Sequence, residues 1–301
     1  MSTSHLPNGV ESTGVNHYEN FPVASFLCPK AIRPAVQAIY YWARTGDDLA
    51  DEGEVAAGDR LAALSSMRLA LQRAIDQQPL TAGAATYRPL VMPLAQLVAA
   101  GLSPKPLFDL LLAFEADVHH TVQAPLGERY KDLPALLDYC AQSANPIGRL
   151  MLQLYKVNDT HTVAQSDAVC TALQLINFWQ DLTQDLSRGR FYIPASVLAQ
   201  HQLPPLTDVR HISPDQAAAV VGALVVHARG VMHQGVGIVH RVPGRAGWEL
   251  AVVVTAGLRL LQRIENTGFQ SARIRVKLNK WDALVVAYQA VRLKLLGKMT
   301  L

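Results

Sequence analysis

Cysteine is scarce in this chain and shows no pairing pattern. Cys28, Cys140 and Cys170 are odd in number, widely spaced and free of any CxxC arrangement, which argues against a disulfide framework or a zinc knuckle and fits a reducing cytoplasm. Long hydrophobic runs are missing as well: the longest apolar stretches, Ala217 to Val226 and Leu250 to Leu258, fall far short of the ~20 residues that cross a bilayer. The polar start, Met1 to Asn16, lacks the basic-then-apolar pattern of a secretory signal and is expected to be a disordered tail. There is no lysine- or arginine-rich block. The 27 basic and 24 acidic residues leave a net charge of +3, which excludes the electrostatic footprint of a nucleic-acid binder. No GxGxxG fingerprint follows a strand, so a nicotinamide cofactor such as NADPH has no visible home. A cytoplasmic protein, soluble or peripheral at the inner membrane, is the expectation.

Apolar residues are abundant instead: 50% of 301 residues are hydrophobic, ample for a sizeable core. Their spacing is helical almost throughout. From Arg33 the run Pro34, Val36, Ile39, Tyr40, Ala43 sets proline at a tolerated helix start with apolar residues three and four apart, leading into Asp47 to Asp51. Further helices are predicted at Asp59 to Asp76, Pro89 to Ala100, Pro104 to Thr121, Leu133 to Tyr155, Thr162 to Asp185, Pro214 to Val239, Gly244 to Asn266 and Lys280 to Leu296. The valine-rich piece Leu250 to Val254 could form a strand by composition, but its place inside a long periodic segment favours buried helix. The fold class is all-α: a tail over 1–16, then one helical domain over 17–301.

Two acidic clusters stand out against this apolar background. Arg44-Thr-Gly-Asp47-Asp48-Leu-Ala-Asp51-Glu52 crowds four carboxylates at the end of a helix, where the helix dipole already disfavours negative charge. Asp47 and Asp51, four apart, project from one face about one turn from each other. In the second cluster, Asn177, Asp181 and Asp185 recur at i, i+4 and i+8 among Leu175, Ile176, Phe178, Trp179 and Leu182. A polar stripe of that kind is costly to bury without cations. Either cluster alone reads as a solvated acidic turn. Both together, in an apolar helical chain, suit Mg²⁺, a hard ion that takes carboxylate, water and phosphate oxygens. Ions held between two such helices bind a diphosphate and act as Lewis acids on its leaving oxygens.

These motifs give the chain a specific likeness. Tyr40-Tyr-Trp-Ala-Arg44-Thr-Gly-Asp47-Asp48-Leu-Ala-Asp51, Asn177-Phe-Trp-Gln-Asp181-Leu-Thr-Gln-Asp185 and Arg188-Gly-Arg190-Phe-Tyr192-Ile-Pro194 resemble, in order and spacing, the squalene/phytoene synthase family, and the likeness runs from about His17 to Trp281. The resemblance implies the class I isoprenoid synthase bundle, all-helical with a central cavity. It implies metal binding by Asp47, Asp51, Asn177, Asp181 and Asp185, with His17, Arg44, Arg190 and Tyr192 near the diphosphate. Phe21, Tyr40, Tyr139 and Gln174 would then form the cavity wall. Arginine suits the phosphate role because its rigid fork matches phosphate oxygens. Aromatic faces suit the wall because they stabilise a carbocation without trapping it. Plain core packing competes for Phe21 and Tyr40, helix capping for His17, and a surface role for Arg188.

Within the family, His17-Tyr-Glu-Asn-Phe21-Pro-Val-Ala-Ser25 and Tyr139-Cys-Ala-Gln-Ser-Ala-Asn145-Pro146-Ile-Gly148-Arg resemble the branch that converts presqualene diphosphate to hydroxysqualene in hopanoid pathways. Members that join two farnesyl diphosphates often carry Arg and Glu where this chain has Gln180 and Gln184, a loss of charge that suits one diphosphate rather than two. The resemblance therefore implies Mg²⁺-dependent ionisation of presqualene diphosphate, rearrangement and capture by water, without NADPH, and neighbouring enzymes of the squalene route as partners. Head-to-head condensation of two farnesyl diphosphates is the alternative, and a non-catalytic lipid carrier or scaffold a more distant one. Lys280 to Leu301 mixes Trp281, Leu284, Val285, Val286 and Leu295 with Lys280, Arg292, Lys294 and Lys298. It reads either as a peripheral membrane contact or as a core helix with a solvated basic face.

Overall fold

The computed structural model describes residues 28–51, 55–123, 129–188, 190–205 and 208–297. Among the described residues the regular elements are helices, with no strand. The first four, α1 (Arg33–Asp51), α2 (Ala57–Ile75), α3 (Arg88–Ala99) and α4 (Lys105–Gln123), pack on one another in the N-terminal half. In the C-terminal half, α5 (Leu133–Ser143), α6 (Asn145–Leu154) and α7 (Thr160–Gln180) lead into α8 (Leu182–Ser187) and α9 (Ala195–Gln200). The chain closes with α10 (Pro214–Gly235), α11 (Ile238–Arg241), α12 (Gly244–Asn266) and α13 (Lys280–Leu296). None of the described helices is long and apolar enough to cross a membrane. The predicted tail over 1–16 lies outside the described residues.

Local chemistry explains the helix starts. Asp132 and Asp159 accept the backbone N–H of Ala135 and Thr162, and Ser213 with Gln216 and Asn279 with Asp282 form reciprocal capping boxes. Each cap satisfies amides that the first helical turn leaves without a partner. The valine-rich segment in question, Leu250 to Val254, lies inside α12, where Ala251, Val253 and Val254 are buried.

Three predicted helices are shorter than their periodicity suggested. Leu133 to Tyr155 divides at Ala144, because Pro146 has no N–H to continue the ladder and its ring crowds the preceding turn. Pro214 to Val239 divides after Gly235 into α10 and α11. Thr162 to Asp185 divides at Asp181, whose φ −99°, ψ 15° leaves the helical region before α8 resumes. The Asn177, Asp181, Asp185 stripe is thus carried on two helical pieces rather than one. The short α9, just after Pro194, was not predicted at all.

Two hydrophobic cores result. One is built from α1 to α4 around Trp42, Leu64, Met67, Leu71 and Leu111; the other surrounds α7, where Leu175, Ile176 and Trp179 meet residues of α10 and α12. Leu150 of α6 belongs to the first core, with Ile147 and Leu154 packed against it, while Leu152 belongs to the second, so this helix joins the two. Trp42 is completely buried and its indole N–H donates to the Leu107 carbonyl at 3.0 Å, tying α1 to α4. Gly46 permits the same approach further along: a Cβ there would lie 2.5 Å from the Phe114 ring. Arg60 reaches from α2 to the Ala50 carbonyl at 2.7 Å and places a cation at the C-terminal end of α1, where the helix dipole favours one. The end of α1 that carries the first acidic cluster is thus held by two neighbours.

Candidate active site

An interior cavity of about 500 Å³ opens between the two cores. Its apolar wall includes Ile39, Tyr40, Phe114, Met151, Val169 and Val253, contributed by α1, α4, α6, α7 and α12. Polar groups collect among its lining residues from the two acidic clusters: Arg44 and Asp47 from α1, then Gln174, Asn177, Gln180 and Asp181 from α7 and its end. Gly148 forms part of the wall with backbone alone, since a Cβ there would come within 2.4 Å of Ser166 Oγ and 2.6 Å of Cys170 Sγ.

Tertiary ion pairs bridge the acidic clusters to other segments. Arg190, which follows α8, pairs with Asp51 of α1 across 139 positions of sequence. On α1 itself, Arg44 reaches Asp47 at 3.3 Å and Asp48 at 2.6 Å. Asp181 accepts from Arg275 at 3.0 Å, and the neighbouring Gln180 amide donates to the Val276 carbonyl at 3.0 Å. The segment before α13 is thereby fastened to the second acidic cluster.

Electrostatics at the site remain unbalanced. The Asp47 carboxyl is pushed up to about 7, chiefly by loss of water around it and then by the Asp51 charge, which together outweigh Arg44. Asp185 is likewise pushed up to about 7: burial is the largest cause, and Asp181 and Asp51 add to it against Arg190 and Arg188. Asp51 therefore acts on an aspartate of the other cluster, which shows that the two clusters share one field. Among the described residues no three His, Cys, Asp or Glu side chains converge on one point. The donor set nevertheless fits a hard dication: Asp47, Asp51, Asn177, Asp181 and Asp185 offer oxygen donors, and the site is short of positive charge.

The structure divides the predicted residues into two groups. Tyr40, Arg44, Asp47, Gln174, Asn177 and Asp181 line the cavity; Asp51 and Asp185 join them through Arg190 and through the shared field. Tyr139 and Tyr192 are not lining residues. They belong to a buried aromatic cluster next to the acidic site, in which Tyr192 stacks on Phe178 at 3.9 Å and Tyr139 faces both rings. The Tyr139 hydroxyl donates to Asp117 at 2.8 Å, and burial drives its pKa well above the phenol range. His17 and Phe21 lie outside the described residues.

Sequence reasoning missed three participants. Asp117 on α4 is paired with Arg129, and the Arg129 guanidinium lies 5.1 to 5.8 Å from the ring centres of Tyr130, Tyr139 and Tyr192. Arg275, the partner of Asp181, is the third. The signal for Asp117 was an acid three residues from Phe114 and next to Val118 on an otherwise apolar helix face. Nothing local marked Arg129 or Arg275. Conversely, part of the branch-like motif is structural: Asn145 accepts from Thr171 at 2.9 Å in the core, and Arg149 pairs with Asp167, both ties between α6 and α7.

An all-helical fold with acidic clusters from two helices at the mouth of an apolar cavity is the isoprenoid synthase architecture. The squalene/phytoene synthase model matches residues 15–282, and the chain belongs to that family. It is similar to the hydroxysqualene synthase of Zymomonas mobilis, 38% identical over 183 residues; the match covers 60% of this chain and 56% of that relative. The hydroxysqualene synthase of Rhodopseudomonas palustris is 30% identical over 263 residues, covering 86% of this chain and 84% of that protein. Among solved structures, squalene synthase HpnC from Alicyclobacillus acidocaldarius superposes with a TM-score of 0.72 at 32% identity, over 84% of this chain and 90% of that one.

Proposed function

We propose that the protein ionises presqualene diphosphate and captures the rearranged cation with water, giving hydroxysqualene and diphosphate. The observation that carries this reading is the meeting of two aspartate clusters and their arginines at the polar end of an otherwise apolar cavity. The similarity to two hydroxysqualene synthases and the neutral Gln180 and Gln184 support the choice of substrate.

Asp47, Asp51, Asn177, Asp181 and Asp185 are the residues that would hold Mg²⁺, which when bound supplies charge to the leaving oxygens. Arg44 and Arg190 are placed to exchange a carboxylate partner for phosphate oxygens, a bidentate match that arginine makes well. The apolar wall excludes water from the hydrocarbon chain and limits where a nucleophile can enter. Tyr40 presents an aromatic face to the cation. One carbon–oxygen bond breaks, with its electron pair leaving on diphosphate. One carbon–oxygen bond forms to water, whose proton passes to a tyrosine or to the released diphosphate. No hydride donor enters this balance.

Purified protein with Mg²⁺ and presqualene diphosphate in ¹⁸O-labelled water should yield a labelled C30 alcohol, unchanged by NADPH. A hydrocarbon formed only with NADPH and carrying no label would overturn the reading. Turnover of farnesyl diphosphate supplied alone would favour condensation instead.

A further inference from the structure

We propose that the outer face of α13 is a docking surface for an anionic lipid bilayer. The inner face of this helix is spent on the core: Asp282, Val286, Ala290 and Leu293 are buried against α12. The outer face carries Trp281, Leu284, Tyr288, Val291 and Leu295, each 45 to 76% exposed. Their spacing of three, four, three and four residues makes one straight apolar seam, about 20 Å long at the helical rise. Large apolar side chains gathered in a stripe, rather than scattered singly, mark a surface that meets something.

Charge and side-chain type choose the occupant. Between Thr267 and Gly297 the sequence has one acid, Asp282, and it is enclosed by Arg259 and Arg263 at 2.7 and 2.9 Å. Lys277 and Lys280 are exposed near the start of the seam, and Arg292 lies over the Tyr288 ring at 5.6 Å. A second copy laid helix to helix along the seam would set these cations against their own kind. Trp281 and Tyr288 also fit poorly as knobs in a helical zipper, which prefers Leu, Ile and Val. In a bilayer interface the same two rings are at home, with apolar bodies in the acyl boundary and polar edges among the headgroups. Basic residues beside such a seam match anionic lipid, and the one acid of this stretch is buried and paired, so it does not oppose them.

The position of the seam also connects it to the cavity. Ala246, Leu250 and Val253 of α12 line the cavity, while α12 receives α13 on its other side. Two helix layers, α13 and α12, ~20 Å together, therefore separate the proposed lipid face from the apolar interior. The proposal stands on these residues and does not require any particular substrate.

Cosedimentation of the full-length protein with vesicles tests it, without substrate present. Vesicles of phosphatidylcholine containing about one quarter phosphatidylglycerol should pellet the protein at low salt, and rising salt should weaken this. Replacing Trp281→Ser, Leu284→Ser and Leu295→Ser together should lower partitioning at least ~10-fold with the melting temperature unchanged, because these side chains face solvent. Lys277→Glu with Lys280→Glu should lower it less and reduce the salt dependence. Absence of pelleting, or equal pelleting by wild type and the serine variant, overturns the proposal. So does a concentration-dependent dimer, abolished by the serine variant, in a protein that ignores vesicles: that result assigns the seam to a second copy. A protein that binds vesicles yet leaves presqualene diphosphate unchanged keeps this surface and loses the proposed reaction.

Discussion

Asp47 and Asp282 are both aspartates on helices beside arginine, and their environments do opposite things. Asp282 lies in the first turn of α13, takes Arg259 and Arg263 on its two oxygens, and accepts the Asn279 N–H at 2.8 Å. Burial alone would raise its pKa, but those three donors outweigh it and hold the carboxyl below the usual range. Asp47 lies at the opposite end of its helix, where the dipole is unfavourable, shares one arginine with Asp48 and faces the Asp51 charge. A structural carboxylate has more cations than it needs; the cavity carboxylates have fewer. Donors per carboxylate separate the two settings: the wholly buried Asp282 is the one that stays ionised, because three donors face it.

Substitutions at the two sites should therefore fail differently. The largest effect is expected on turnover: Asp47→Asn and Asp181→Asn should each slow the reaction at least ~100-fold, and EDTA should abolish it reversibly, with circular dichroism unchanged. A wild-type rate in either variant would erase the distinction between the sites. Asp282→Asn should instead leave the rate per folded molecule near wild type and cost about 2 kcal/mol of stability. That is less than the roughly 3–5 kcal/mol of breaking a fully buried pair, because the two arginines remain partly exposed to water. A chemical denaturation midpoint equal to wild type would show that the arginines repack without loss.

Added Mg²⁺ should raise the thermal midpoint of wild type by mass action, about 1.4 kcal/mol at tenfold the dissociation constant, and much less in Asp47→Asn. An equal rise in both would place the ion elsewhere. The smallest effect concerns pH. A carboxyl whose folded pKa lies below its unfolded value near 4 stabilises fully above that value, and its contribution vanishes as pH falls through the folded pKa. Wild type should therefore lose about 1 kcal/mol more than Asp282→Asn on acidification from pH 5 to pH 3. Parallel stability curves for the two proteins would contradict the assigned role.

The same contrast explains what was readable from the chain alone. Asp47 and Asp51 were legible as a pair because their spacing sets them on one face of α1; Asn177, Asp181 and Asp185 were legible as a spacing, although the break at Asp181 divides them between α7 and α8. Where the backbone departs from the ideal helix, legibility stopped. The break at Asp181 has no proline or glycine to announce it, and α9 is too short to show a period. Partnerships across long separations were invisible: Arg190 finds Asp51, Arg275 finds Asp181 and Arg129 finds Asp117 only after the helices have packed. Tyr139 was expected on the cavity wall, but it lies beside Asp117 instead, a place that depends on how α5 packs on α4.

Cys28 and Cys170 are among the residues that line the cavity. In the proposed reaction a thiolate here would compete with water for the cation. Burial keeps both sulfurs in the weaker, protonated form: Cys170 is pushed up to about 12, and Cys28 is raised as well. At neutral pH the Cys170 sulfur therefore meets the cavity contents as a small, protonated, weakly polar neighbour. The close approach of Ser166 and Cys170 to Gly148 thus does two things at once: it shapes the wall, and it keeps Cys170 dry, so that loosening this contact would bring a thiol nearer to ionising inside an apolar chamber.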